Sequence, residues 1–406
     1  MSKSNKTTPN VPTLRFAEFA EQWEQKTFDE TFSILSNNTL SRAELNYENG
    51  NYKNIHYGDV LIKFSAFIDA LSPDVPYIND ENSSSKLDNI LLQDGDIIIA
   101  DTAEDFTVGK ATEVENVDEI KVVSGLHTIP CRPKIKFSPR YLGYYVNSPA
   151  YHNQLIPFIQ GVKVSSISKT LIKKTFVSFP SLSEQTKIAD FLSCLDKKIE
   201  VQNKIISDLK VLKKELCNKV FGKGSAVRLG DFIEEVTTRN KSNSCENVLS
   251  VSNKMGFIKQ SEQFEDRTVA SENKSNYKVV TEGCFAYNPA RINVGSIALL
   301  STYKIGIISP MYVCFKTKSN LNSEYLNFYY QSGFFYKELQ KKLEGSVRQC
   351  LTYENMSEIL IPYVGIEEQK AIAVTLNKFA TLIATEEKYI KSLQKQKSYF
   401  LNAMFI

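Results

Sequence analysis

The chain has 406 residues, 42% hydrophobic and 23% charged, a composition that supports two or more domains with proper cores and argues against disorder. Its 49 Lys and Arg against 46 Asp and Glu leave a formal charge of +3, so any attraction to a polyanion has to come from local patches. No apolar run is long enough for a membrane span or a signal peptide, and seven scattered cysteines without a C-x-x-C pair argue against a disulfide framework or a thiolate zinc site.

In chain order, the opening MSKSNKTTPN reads as disordered and the protein as cytoplasmic. Short apolar runs between turn residues follow, such as DGDIIIA at 94–100, and then a helical YLGYYVNS at 141–148. The pattern is that of an α+β domain. GVKVSSISKTLIKK at 161–174 carries four lysines and no acid, which suits contact with phosphate through Lys163 and Lys169. LSEQTKIADFL then opens a long stripe, and GKGSAVRLGDF at 222–232 reads as a linker.

After the linker the pattern recurs. GIISPMYVCFK at 306–316 reads as strand, YLNFYYQS at 325–332 as helix, and IEEQKAIAVTL at 366–376 repeats the Glu-Gln-x-x-Ile-Ala phrase, with Gln369 lying 369 − 185 = 184 positions after Gln185. The first stripe runs Ile188, Leu192, Leu195, Ile199, Gln202, Ile206, Leu209, Lys213, Leu216, Val220. Adding 184 to each gives Ile372, Leu376, Phe379, Ile383, Glu386, Ile390, Leu393, Lys397, Phe400, Met404. Alternating steps of four and three residues without Pro or Gly predict two coiled-coil helices, each roughly 50 Å long. Both stripes turn polar at the same two places. Gln202 with Glu386, and Lys213 with Lys397, are expected to fix the register. If the repeats are related by a two-fold pseudo-symmetry axis, the helices run antiparallel with a globular domain at each end.

Motifs for chemistry are few. No G-x-x-x-x-G-K loop offers ATP a site, and His56, His127 and His152 are too scattered for a metal or a triad. Glu119-Ile120-Lys121, with Asp101 or Asp105, has the E-x-K form of metal-dependent nucleases, but the second repeat has KIGIIS there and no matching acid. Tyr287-Asn288-Pro289-Ala290 is only faintly like an amino-methyltransferase loop. No cofactor is expected. GSVRQCLTYEN, the counterpart of the basic loop, supplies Arg348 as a third phosphate contact, and Asn288, Arg291 and Asn293 in YNPARINVG are residue types that read base edges.

From LRFAEFAEQWEQKTFDE at 14–30, through both Glu-Gln helices, to LNAMF at the end, the chain resembles the specificity subunits of type I restriction-modification enzymes. The resemblance implies an α+β fold with two pseudo-symmetric target recognition domains separated by two long antiparallel coiled-coil helices. Its divisions are an N-terminal segment 1–27, a first recognition domain 28–180, a central helix 181–221, a second recognition domain 222–362 and a distal helix 363–406. It also implies that each domain reads half of a split site in double-stranded DNA. It implies further that the helices dock methyltransferase subunits, which carry the cofactor, and that restriction subunits join for cleavage. No base-reading residue is implied, and Ala380 stands where the family often places an Asp, as at Asp196. The competing readings are a stand-alone DNA-binding adaptor and a nuclease built on Glu119 and Lys121.

Overall fold

The computed structural model describes residues 10–82, 85–161, 163–253, 255–263, 273–344 and 349–406. The segment read as disordered falls almost wholly outside them. The chain divides into two compact units, Met1–Val201 with Tyr389–Ile406, and Gln202–Lys388.

In the first unit a sheet runs in the order Phe32–Ile34, Thr128–Pro133, Ile97–Ala100, Ala111–Glu115, Phe67–Asp69. The second unit has Ile233–Glu235, Val313–Thr317, Cys284–Tyr287, Ile297–Leu299 in the corresponding order. A further mixed sheet accompanies each. Its parallel pair is Tyr52–Ile55 with Lys121–Ser124 in one unit and Val248–Ser252 with Ile305–Ile308 in the other. The strand Ile97–Ala100 reads as a continuous apolar run because both of its faces are covered. Ile97 and Ile99 join one core while Ile98 and Ala100 join another. Phe285 and Tyr287 against Cys284 and Ala286 divide the same way. Gly95 and Gly283, both at φ +84, turn the chain into these strands in a conformation open to glycine.

Two long helices complete the units, a central one at Leu182–Phe221 and a distal one at Ile366–Ala403. The repeated glutamine explains where each starts. Gln185 is buried, its Oε1 accepting from Ser138 N at 3.0 Å and its Nε2 donating to Pro180 O at 2.8 Å. Gln369 is also buried and accepts from Asn322 N at 2.8 Å while donating to Val364 O at 2.8 Å. Both partners are shifted by 184 positions, so one side chain closes the same two backbone gaps in each unit. An unmet backbone group there would cost about 1–3 kcal/mol.

Within each unit the two helices run in opposite directions. In the first, Phe191 meets Phe400 at 4.8 Å and Lys397 pairs with Asp196 at 2.5 Å. In the second, Gln202 bonds to Glu386, and Leu376 and Ala373 share a core with Cys217. Ile188, Leu192, Leu195, Ile206, Leu376, Ile383, Ile390 and Leu393 are buried, and Ile199, Leu209, Leu216, Ile372, Phe379 and Phe400 are half-buried. The chain start continues from the distal helix's end. Leu14 N donates to Ala403 O at 2.9 Å, and Arg15 forms a bidentate pair with buried Glu184 at 2.7 and 2.6 Å.

The stretch 222–232 is not merely a linker. Ser225–Arg228 forms a strand antiparallel to Leu360–Tyr363, as Glu24–Thr27 does with Phe176–Phe179. Its small and polar residues are consistent with a largely exposed strand, which leaves no alternating apolar pattern to read.

Candidate nucleic-acid interface

The basic loop is anchored at both ends. Gly161 has φ +110, and a Cβ there would lie 1.9 Å from Val164 O, so a close turn requires the glycine. Ser165–Ser166 pairs with Thr102–Ala103, and the Ser168 side chain caps the short helix Lys169–Ile172. Lys163 is exposed and has no partner among the described residues. Lys169 is exposed and donates to Asn37 Oδ1 at 3.1 Å. The other two lysines are occupied locally, Lys173 with Asp29 at 3.1 Å and Lys174 over the Phe158 ring at 5.7 Å.

In each unit this loop is tied to the segment that follows the central strand. Ile167 N donates to Asp101 O at 2.9 Å, and Leu351 N donates to Pro289 O at 3.2 Å. The structure thus brings together two stretches the sequence offered separately, the counterpart of the basic loop and YNPARINVG. Asn288 folds back to accept from Ala290 N at 3.1 Å, and Arg291 is exposed. Both line a cavity of about 370 Å³ with Ser252, Asn253, Ser309 and Met311. Asn293 is half-buried and outside that lining. Arg348 lies outside the described residues.

The E-x-K triplet is not assembled for metal chemistry. Lys121 pairs with Asp88 at 2.8 Å and lies over the Tyr52 ring. Among the described residues no group of three His, Cys, Asp or Glu side chains could hold a metal ion.

One cluster escaped the sequence reading. His127 and Asp101, 26 positions apart, face each other with Nδ1 to Oδ1 at 3.4 Å, beside Thr102, Tyr57 and the Lys169–Asn37 pair. Neither residue belongs to a repeated phrase, so periodicity gives no signal for it.

A model of the type I restriction modification DNA specificity domain matches residues 20–211 and again residues 225–395. The chain belongs to that family. The two matches coincide with the two halves of the repeat, and the chain is a specificity subunit, the non-catalytic part of a type I restriction-modification enzyme that recognises DNA. It is similar to the MjaX type I restriction enzyme specificity subunit of Methanocaldococcus jannaschii, 27% identical over 335 residues covering 76% of this chain and 77% of that one. The MjaVIII specificity subunit of the same organism is 25% identical over 283 residues, covering 60% and 64%. The fold resembles the type I restriction-modification S subunit from M. genitalium, with a TM-score of 0.59, 13% identity and coverage of 98% and 99%. A second structure, from work on complex assembly of the type I R-M system, has a TM-score of 0.54 at 16% identity, covering 93% and 96%. No helix among the described residues is long and apolar enough to cross a membrane.

Proposed function

We propose that the two units read different halves of a bipartite, asymmetric site in double-stranded DNA, with residues 28–180 and 222–362 as the two readers. The observation that carries this reading is the pairing of matching frameworks with unlike surfaces. Where the first unit presents Asp101, Thr102 and His127, the second presents Asn288, Arg291 and Met311. Equivalent strands carrying different donors and acceptors suit two different base sequences.

Lys163 and Lys169 in one unit and Arg348 in the other hold phosphates, which positions the readers without selecting sequence. Asn288, Arg291 and Asn293 read base edges in the second half-site. The helices at 181–221 and 363–406 dock methyltransferase subunits, which bring the cofactor, and restriction subunits join the assembly for cleavage. The Lys397–Asp196 pair is confined to the first unit, because Ala380 takes the aspartate's position in the second.

Co-expression with a methyltransferase subunit tests the docking. A stable complex that methylates DNA only when this chain is present is the expected result. Magnesium-dependent cleavage by the isolated chain would favour the nuclease reading instead.

A further inference from the structure

We infer that His127 is a specificity-determining residue of the first unit, presenting its imidazole Nε2 to a base edge. The inference rests on the DNA-reading function proposed above.

His127 sits at φ +55, a left-handed conformation uncommon among residues other than glycine, though His is one of the types that enter it most readily. The second unit joins the corresponding strands through one more residue, Ser309-Pro310-Met311-Tyr312, and none of those four has a positive φ. The left-handed residue belongs to the tighter three-residue connection Gly125-Leu126-His127 of the first unit.

The surroundings fix the ring. Nδ1 lies 3.4 Å from Asp101 Oδ1 and 3.5 Å from Thr102 Oγ1, while Thr102 Oγ1 donates to the same carboxylate oxygen at 2.7 Å. Tyr57 stands edge-on to the imidazole at 5.2 Å. The backbone is locked as well, since Asp101 N donates to His127 O at 3.1 Å and Tyr57 N to Leu126 O at 3.4 Å. A proton on Nδ1, the nitrogen that faces the carboxylate, leaves Nε2 as the acceptor, and Nε2 has no partner among the described residues. The side chain is 47% exposed, so that lone pair is accessible.

A fixed acceptor of this kind matches an exocyclic amino donor in the major groove, adenine N6 or cytosine N4. Lys169 stands on the same cluster. It donates to Asn37, whose Nδ2 donates to Gly125 O in the turn itself at 3.2 Å. One cation for phosphate and one acceptor for a base edge are thus joined through a single asparagine. Asp101 acts as a positioning residue.

The test uses full-length wild-type chain and His127→Gly, each selecting from a pool of random-sequence DNA duplexes that are then sequenced. Glycine accepts φ +55, so the turn survives and the thermal midpoint should hold. His127→Asn, which also tolerates this region, carries the same test if the glycine variant does not fold. Wild type should enrich a two-part motif. The variant should enrich the same motif with one amino-bearing base pair relaxed about tenfold in one half, the other half intact and the salt dependence unchanged. Asp101→Ala should relax that same pair. Identical motifs from wild type and variant, or uniform weakening with a lower salt slope, would overturn the inference while leaving the two-reader function standing. No motif from wild type would remove both.

Discussion

Gln202 donates from Nε2 to Oε2 of Glu386 at 2.5 Å, and the two residues occupy the same position of the repeat, 184 apart. A polar pair in a largely apolar seam costs stability and rewards one register. Gln202→Leu alone leaves the Glu386 carboxylate without its donor and should cost about 1–3 kcal/mol. Adding Glu386→Leu should restore much of that loss, giving a coupling of about 1 kcal/mol in a double-mutant cycle measured by denaturant unfolding. Strictly additive costs would mean that the pair does not act as a unit.

Glu113 supplies a pH dependence. It is buried and accepts from Arg140 N at 2.6 Å and Gly143 N at 2.9 Å, yet burial outweighs those bonds and pushes its carboxyl up to about 7. The folded state then holds a proton that the unfolded state releases near its ordinary value of 4.5. Its contribution is present below pH 4.5 and lost as pH rises through 7, a change of roughly 3 kcal/mol. Thermal melting at pH 5 and pH 7 should therefore show a smaller loss of stability with rising pH in Glu113→Gln than in wild type. Equal losses in the two proteins would exclude this carboxyl as the source.

Lys163→Ala and Lys169→Ala should weaken binding to all DNA sequences alike and reduce the slope of log affinity against log salt by about one unit each. Titration at several salt concentrations measures both effects. A variant that shifted sequence preference at constant slope would make that lysine a base contact.

Much of this architecture is written in the sequence as period and duplication. The heptad stripes are legible because an apolar seam must recur every 3.5 residues, and the paired glutamines because each closes the same backbone gaps. Coupled changes are harder to read. Lys397 lies over the Tyr144 ring at 5.6 Å and pairs with Asp196, whose other oxygen accepts from Tyr144 Oη at 2.7 Å. In the second unit Lys213 lies over Phe328 at 5.2 Å, with Ala380 in the aspartate's position. The hydroxyl and the carboxylate are lost together, and sequence alone shows the two changes without the contact that couples them. The His127–Asp101 contact was illegible for another reason. It depends on a left-handed residue and on a loop closed by strand pairing, and neither leaves a local pattern.

If the helices set the distance between half-sites, one heptad added after Gln202 and one after Glu386 should preserve the seam and lengthen each helix by roughly 10 Å. That length corresponds to about three base pairs, which also turn the distal half-site by roughly a third of a helical turn. Binding assays on duplexes of varied spacing should show either the same half-sites with a spacer longer by about three or a loss of tight binding. Unchanged affinity for the original spacing would show that something other than these helices positions the readers.

The central claim is that one chain reads two different half-sites. Single-molecule sequencing of methylated bases in the host, with and without this chain, tests it most directly. The account predicts a methylated motif that depends on the chain and consists of two unlike halves separated by a fixed number of unspecified base pairs. A palindromic motif, or a methylation pattern indifferent to the chain, would contradict it.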